Sequence, residues 1–197
     1  MNNYEKIIEL ANKNNGYVTT KEIKACGIAR AFLTSLVKKN KLERIDRGIY
    51  MLPTELVDVY YKMQIANKDA VFSLATALYF HNLSDRIPII IDITVPYNYS
   101  GSLLKNKKVS LSYVKKEVLN LGVVEAETNF GNRVFVYDIE RTICDIVKNK
   151  DKIDAEIFTK AMQKYASSKT RNSIKLYKYA EILNVKEKLS EYMRILL

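Results

Sequence analysis

Basic and hydroxyl-bearing side chains recur between residues 20 and 47. From Lys24 to Lys41 the chain carries five basic residues and no Asp or Glu. Lysine and arginine bind phosphates, and arginine, serine and threonine can also reach base edges. We therefore predict that this segment binds double-stranded DNA, although an ordinary solvated helix face is the alternative. The candidate contacts are Thr20, Lys21, Lys24, Arg30, Thr34, Ser35, Lys38, Lys39, Lys41, Arg44 and Arg47.

Residues suited to metal binding or catalysis are sparse. His81 is the only histidine and the two cysteines, Cys26 and Cys144, stand apart, so a His/Cys metal site is almost excluded. Phosphoryl chemistry needs clustered carboxylates or a glycine-rich phosphate loop. Asp92 lies in a predicted strand, but no Glu-x-Lys or Asp-x-Lys follows in the next one. We expect no catalytic residue, no metal and no cofactor, and a DNA-targeted nuclease is the least favoured function.

Composition indicates an anionic partner and a reducing compartment. The formal net charge is +10 and the pI is about 9.4, which favours nucleic acid, although many basic proteins bind none. Isolated cysteines are typical of reducing compartments. The N-terminus MNNYEKIIEL is unlike a signal peptide, and no apolar run approaches the roughly 18 residues of a membrane span. We expect a cytoplasmic protein that does not enter membranes.

The first 54 residues predict a winged helix-turn-helix domain. Helical spacing predicts a helix over 4–13, and Thr19 with Glu22 forms a capping box for a second helix that ends at Ala25. A third helix is predicted over 29–40. The sequence LERIDRGIYML (42–52) then predicts a hairpin, because Gly48 suits its tight turn and Asp46 opens it. Three helices followed by a basic hairpin are the winged-helix pattern.

The third helix has the faces of a recognition helix. Phe32, Leu33, Leu36 and Val37 share one face by their spacing. The opposite face is small, polar and basic, which permits close approach to a groove. Its residues are Arg30, Ala31, Thr34, Ser35 and Lys38.

The remaining residues, 55–197, predict an α+β domain with a small sheet and a helical part over 147–197. That helical part carries twelve Lys/Arg against six Asp/Glu. Tyrosines alternate with lysines at Lys175–Tyr179, which suits a nucleic-acid surface, but burial of these rings between helices is favoured. Helices are predicted over 54–67, 69–80, 115–121, 138–147, 154–166, 172–183 and 185–196, and strands over 88–96, 109–114, 122–128 and 133–137.

With these pieces in order, the chain resembles the AbiEi family of antitoxins and transcriptional repressors. The resemblance rests on LVKKNKLERIDRGIYMLP (36–53), SLATALYFHNLSDRIP (73–88) with ITVP (93–96), the run from Gly131 to Asp145 that ends in ERTICD, and AMQKY (161–165). The first segment is shared by many winged helices. The ordered combination with ERTICD is more specific.

The resemblance implies a type IV toxin–antitoxin system of the abortive-infection, phage-defence kind. It implies an autoregulatory repressor that binds inverted repeats in its own promoter through the winged helix. It also implies a C-terminal antitoxin domain that counteracts a nucleotidyltransferase-like toxin without a stable complex. We expect cooperative assembly of two protomers on DNA, because one winged helix buries little surface. A winged-helix module that binds protein or RNA is the alternative.

The signature run also has a physical interpretation. Arg141 and Asp145 are four residues apart on a predicted helix and can form an ion pair. Glu140 and Arg141 are neighbours and point apart. The favoured interpretation is a buried Arg–carboxylate pair. The alternative is that these residues form a surface that carries the antitoxin function. The residues concerned are Glu140, Arg141, Thr142 and Asp145.

Overall fold

A computed structural model describes residues 2–53 and 55–196. The chain divides into two compact units, which we call unit 1 (Met1–Lys62 with Asn129–Asn132) and unit 2 (Met63–Thr128 with Arg133–Leu197). Thr54, where the predicted first domain ends, lies outside the described residues.

Unit 1 contains three helices and a three-stranded antiparallel sheet, in the order that the sequence predicts. The strands lie side by side as β1-β3-β2, so that Thr19 pairs with Ile49 and Arg44 pairs with Tyr50. The elements are α1 (Asn3–Lys13), β1 (Tyr17–Thr19), α2 (Thr20–Ala25), α3 (Ala31–Lys38), β2 (Glu43–Asp46) and β3 (Ile49–Met51).

Local signals explain where the helices of unit 1 begin and end. Asn2 with Glu5 and Thr19 with Glu22 form capping boxes at the N-termini of α1 and α2. Gly16 adopts a φ of +88° after α1, a left-handed conformation that glycine tolerates best. A core that includes Ile7, Ile23, Leu33, Leu36 and Leu42 then holds the helices together.

Unit 2 is built on a five-stranded mixed sheet with the order β6-β5-β4-β8-β7. Strand β5 pairs in parallel with β6, and β4 pairs in parallel with β8, while the β4–β5 and β7–β8 pairs are antiparallel. The strands are β4 (Val71–Phe72), β5 (Ile91–Pro96), β6 (Val109–Val114), β7 (Val123–Glu127) and β8 (Arg133–Tyr137).

The helices of unit 2 bury its main core around one central helix. Helix α7 contributes Ile143, Cys144 and Ile146, and the helices that follow it contribute Phe158 and Leu176 among others. The helices are α4 (Val59–Ala66, which contains the boundary between the units), α5 (Leu74–Phe80), α6 (Lys116–Leu119), α7 (Ile139–Lys148), α8 (Ala155–Ser167), α9 (Ser173–Ile182) and α10 (Lys186–Leu196); two short 3-10 helices lie at Ser102–Lys105 and Lys150–Lys152.

The α+β class is confirmed, whereas two of the predicted helices are wrong in part. Within the predicted helix 69–80, Val71 and Phe72 form strand β4, which pairs with β5 on one side and β8 on the other. The predicted helix 54–67 begins only at Val59, where the Asp58 carboxylate accepts a hydrogen bond from the Tyr61 N–H at 3.0 Å. The stretch 69–80 is nearly all apolar, and the stretch 54–67 mixes apolar and polar residues. Neither has a hydrophobic periodicity that distinguishes a strand from a helix.

Candidate nucleic-acid interface

Helix α3 presents a polar, basic face to solvent. Leu33 and Leu36 are buried in the core of unit 1, and Phe32 and Val37 flank them half-buried. Arg30, Thr34 and Lys38 are exposed. Because they recur every four residues, they lie on one face, opposite the buried leucines. This face holds most of the residues predicted for recognition, but Ser35, which was predicted to share it, is half-buried.

Two predicted contacts, Ser35 and Lys39, lie on the side of α3 that faces Tyr4 of α1. The hydroxyls of Tyr4 and Ser35 are 3.2 Å apart in a hydrogen bond. The Lys39 ammonium lies 4.7 Å from the centroid of the Tyr4 ring, a cation–π contact. The same ring meets Phe32 edge to face at 5.1 Å. These contacts fix the position of α3 against α1.

Thr20 joins the first turn of α2 to the hairpin turn. Its N–H donates to the carbonyl of Gly48 at 2.9 Å, and its hydroxyl donates to the same oxygen at 3.4 Å. A Cβ at position 48 would stand 3.2 Å from the Thr20 hydroxyl. Thr20 is half-buried, so it supports the hairpin, while Lys21 and Lys24 of the same helix are exposed.

The β2–β3 hairpin turns through Arg47 and Gly48. Gly48 has a φ of +76°, as the sequence predicts for a tight turn. The Asp46 carboxylate accepts a hydrogen bond from the Arg47 N–H at 2.6 Å, and the Arg44 Nε donates to the Asp46 carbonyl at 3.3 Å. Both arginine side chains remain exposed beside the turn.

The basic side chains around α3 are not neutralised by acids. Within 2–53 and 55–196, every ion pair lies in unit 2. These basic side chains are therefore available to an anionic ligand. The exposed bases are Lys21, Lys24, Arg30, Lys38, Lys39, Lys41, Arg44 and Arg47.

The signature residues of unit 2 form a buried network. The Arg141 side chain is 1% exposed, and its Nε donates to both oxygens of Asp145 at 3.0 Å, so the predicted pair exists. Its Nη1 donates to the carbonyls of Val118 and Leu121, both at 2.9 Å. The guanidinium also lies 4.1 Å from the Tyr137 ring centroid. Arg141 therefore holds α7 against β8 and the α6 segment.

Burial and charge act in opposite directions on Asp145. Burial raises the pKa of this carboxyl to about 6, and the Arg141 guanidinium opposes the shift. Burial also raises the pKa of the neighbouring Cys144 thiol to about 12, which keeps the thiol protonated and unreactive. Thr142 donates to the Tyr137 carbonyl at 3.2 Å. The run is a packed structural element at these positions.

A second ion pair beside this network escaped the sequence analysis. The Lys175 ammonium lies 2.9 Å from an Asp138 oxygen and 3.6 Å from a Glu140 oxygen. Tyr179 donates to Asp138 at 3.2 Å. The predicted basic and aromatic alternation in α9 therefore partly serves packing. The sequence marks Asp138 only as the cap of α7. It does not indicate the partner of Asp138, because Lys175 lies 37 residues further along the chain.

No group of three or more His, Cys, Asp or Glu residues within the described chain could hold a metal ion. No described helix has the length and apolar character needed to cross a membrane.

Unit 1 thus combines three helices, an exposed basic face on α3 and a basic hairpin. Residues 5–53 match the family model of the transcriptional regulator, AbiEi antitoxin. The resemblance to the AbiEi family that the sequence predicts is thereby confirmed over this region.

A solved structure shares the fold over nearly the whole chain. The crystal structure of the RV2827C protein from Mycobacterium tuberculosis superposes with a TM-score of 0.50 and 13% sequence identity, covering 98% of this chain and 82% of that chain. At this identity the likeness concerns the fold alone. The search of curated proteins found no match to the chain.

Proposed function

We propose that the protein is an autoregulatory transcriptional repressor that binds double-stranded DNA through a winged helix-turn-helix domain. The observation that carries the proposal is the outward face of α3, where Arg30, Thr34 and Lys38 are exposed and neither basic residue forms an ion pair with a described residue. A helix with this face fits the major groove, where arginine reads guanine and lysine binds phosphate. The family match over 5–53 supports the same function.

The other predicted contacts divide into two roles. Lys21, Lys24 and Lys41 are exposed around α3 and would bind phosphates, and Arg44 and Arg47 would extend the contact from the hairpin. Thr20, Ser35 and Lys39 would position these elements, because each already has a partner within unit 1. Mutation of a positioning residue would weaken binding to all DNA sequences to a similar extent.

Two protomers would bind an inverted repeat in the promoter of the protein's own gene. A single winged-helix domain buries a modest area against DNA. Two protomers bound side by side each raise the effective concentration of the other at its half-site, which increases the affinity of both for DNA. This arrangement predicts cooperative assembly on DNA.

We further propose that unit 2 supplies the antitoxin activity of a type IV system. The resemblance implies that it counteracts a nucleotidyltransferase-like toxin in phage defence without a stable complex. Glu140, Arg141, Thr142 and Asp145 are buried, so their role would be to maintain the structure of unit 2 rather than to contact the toxin or its substrate.

The test is an electrophoretic mobility shift with DNA from immediately upstream of the gene, scrambled competitor DNA and a series of salt concentrations. Retardation of the upstream fragment alone, in discrete steps, is expected from repeated sites. Affinity should fall steeply with salt, because each bound Lys or Arg releases a counterion. Equal binding of scrambled DNA would overturn sequence-specific repression.

Single substitutions locate the interface. Arg30→Ala is expected to weaken binding to the specific site by about 1–3 kcal/mol if Arg30 reads a base. Lys38→Ala should weaken binding to all sequences more evenly. Lys6→Ala is the matched control, because Lys6 is an exposed base on α1, outside the proposed interface. Unchanged binding in both α3 variants would instead favour a module that binds protein or RNA.

A further inference from the structure

A lysine-rich segment of unit 2 lies outside the proposed DNA interface. Residues 93–124 contain Lys105, Lys107, Lys108, Lys115 and Lys116, with Glu117 as their one acid. All five lysines are exposed. None of them forms an ion pair with a residue that the structure describes. The segment therefore carries an uncompensated positive charge, which attracts polyanions.

Two tyrosine rings are exposed beside these lysines. All fourteen tyrosines are described, and only Tyr97 and Tyr113 are exposed, with relative exposures of 66% and 40%. Neither hydroxyl forms a hydrogen bond with the described residues, although tyrosines usually bury the ring or satisfy the hydroxyl. Both rings therefore keep a substantial part of their apolar surface in contact with solvent.

The sheet brings these residues to one edge. Strand β6 is the outermost strand, and it pairs with β5 so that Tyr113 lies opposite Val95 and Val114 lies opposite Pro96. Tyr97 follows directly, and its N–H donates to the Val114 carbonyl at 3.1 Å. Tyr97 is thus one strand spacing from the end of β6, about 5 Å. We call Tyr97, Tyr113, Lys107, Lys108, Lys115 and Lys116 the β6 edge.

The lysines stand at both ends of the strand. Lys107 and Lys108 precede β6, and Lys115 and Lys116 follow it. A strand of six residues is about 20 Å long, so the two lysine pairs are separated by a distance that a few nucleotides of a single strand can span. The rings lie nearer the second pair. Positive charge along a track with exposed rings is the arrangement that single-stranded nucleic acids require.

Protection of a sheet edge explains only part of this surface. Lysines at an edge strand discourage pairing with another chain. That role needs no aromatic ring, however, and an exposed ring on an edge favours association. The tyrosines therefore require a second explanation.

We propose that the β6 edge binds single-stranded nucleic acid, with bases stacked on Tyr97 and Tyr113 and phosphates bound by the flanking lysines. The site is separate from α3 and goes beyond the repressor function proposed above. It would allow the protein to hold an unpaired strand and its duplex operator through different residues.

The test is fluorescence anisotropy of the full-length protein with a labelled oligouridine of about twelve nucleotides, a length within the range of known single-strand sites. Tyr97→Ala with Tyr113→Ala should weaken binding at least fivefold, whereas Tyr97→Phe with Tyr113→Phe should leave it within about twofold, because the stacking ring remains. Lys115→Ala with Lys116→Ala should reduce the salt slope by about 1.4, because about 0.7 counterion is released per contact on a single strand.

Matched controls separate this site from general charge and from the DNA interface. Lys169→Ala with Lys188→Ala removes two exposed lysines elsewhere in unit 2 and should leave binding unchanged. Arg30→Ala with Lys38→Ala should also leave oligouridine binding unchanged while it weakens duplex binding. Thermal unfolding of each variant verifies the fold.

The outcomes decide the proposal and its ligand. No binding of oligouridine, equal loss in the Lys169/Lys188 control, or retention of affinity by the double alanine variant of the tyrosines would overturn it. Tighter binding of oligouridine than of oligodeoxythymidine would identify RNA as the ligand, since the 2′-hydroxyl distinguishes the two. Equal binding of the two oligonucleotides would support a site that accepts single-stranded RNA and single-stranded DNA alike.

Discussion

Arg30 and Arg141 each lie at the beginning of a helix, one in each unit, and they are used in opposite ways. Arg30 precedes α3, is exposed and has no acidic partner among the described residues. Arg141 is in the first turn of α7, is 1% exposed and donates to Asp145 and two carbonyls. The comparison shows that a positive net charge is a poor guide to function until the paired cations are subtracted.

The largest expected effect comes from Arg141→Ala. It would leave Asp145 buried without its cation and the carbonyls of Val118 and Leu121 without a donor. We expect a loss of about 3–5 kcal/mol in the free energy of unfolding, measured by urea denaturation. Arg133→Ala breaks only the exposed pair with Glu125 and should change stability by less than about 1 kcal/mol. Similar values for the two variants would contradict the structural role of Arg141.

The reverse pattern is expected for Arg30→Ala. Its free energy of unfolding should change by less than about 0.5 kcal/mol, since the side chain is an exposed surface group. Its affinity for the specific DNA site should fall by about 1–3 kcal/mol. Both quantities are measurable on one preparation, by denaturation and by titration with labelled duplex. A large loss of stability would show that Arg30 supports the fold as Arg141 does.

Gly48→Ala tests whether the hairpin and α2 are coupled. Alanine at a φ of +76° costs about 1 kcal/mol from the backbone alone, and its Cβ would also crowd Thr20. Gly27→Ala is the matched control, because it has a φ of +71° and nothing within 4 Å of the added Cβ. The difference between the losses in unfolding free energy of the two variants measures the cost of crowding Thr20. Equal values would show that Thr20 moves aside freely.

The smallest effect is expected from Asp92→Asn. Burial raises the pKa of Asp92 above the 3.8 of the unfolded chain, so the folded state holds this proton more tightly. The stability that this shift contributes is fully present below pH 3.8 and is lost as the pH rises through the higher pKa of the folded state. Asparagine cannot titrate and should remove this part of the pH dependence. Parallel pH profiles of both proteins, from denaturation between about pH 3 and pH 6, would contradict the shift.

Local signals predicted much of unit 1 because its elements are short and capped. The Thr19–Glu22 box and the turn at Gly48 both appear as predicted. The signals that were absent are tertiary. No pattern along the chain indicates that Ser35 bonds to Tyr4, 31 residues away, or that Thr20 bonds to Gly48.

Unit 2 was predicted well where a strand or helix is isolated by polar residues. Strands β6 and β8 have the predicted bounds, 109–114 and 133–137. Strand β4 was missed because AVFSLATALYF is nearly all apolar. Leu74, with a φ of +46°, marks a break in the chain that a leucine does not signal. The buried Arg141–Asp145 pair was predicted from its spacing, whereas Lys175 was not, because it belongs to another helix.

The bond between Thr20 and Gly48 also constrains how this protein can change during evolution. A longer or differently turned hairpin would withdraw the carbonyl that receives both donors of Thr20, and α2 would lose a fixed point at its first turn. Under the proposed DNA-binding function, new sequence preferences are therefore easier to reach through side chains on α3 than through new hairpin lengths. We expect the turn to keep its two-residue length while the exposed residues of α3 diversify.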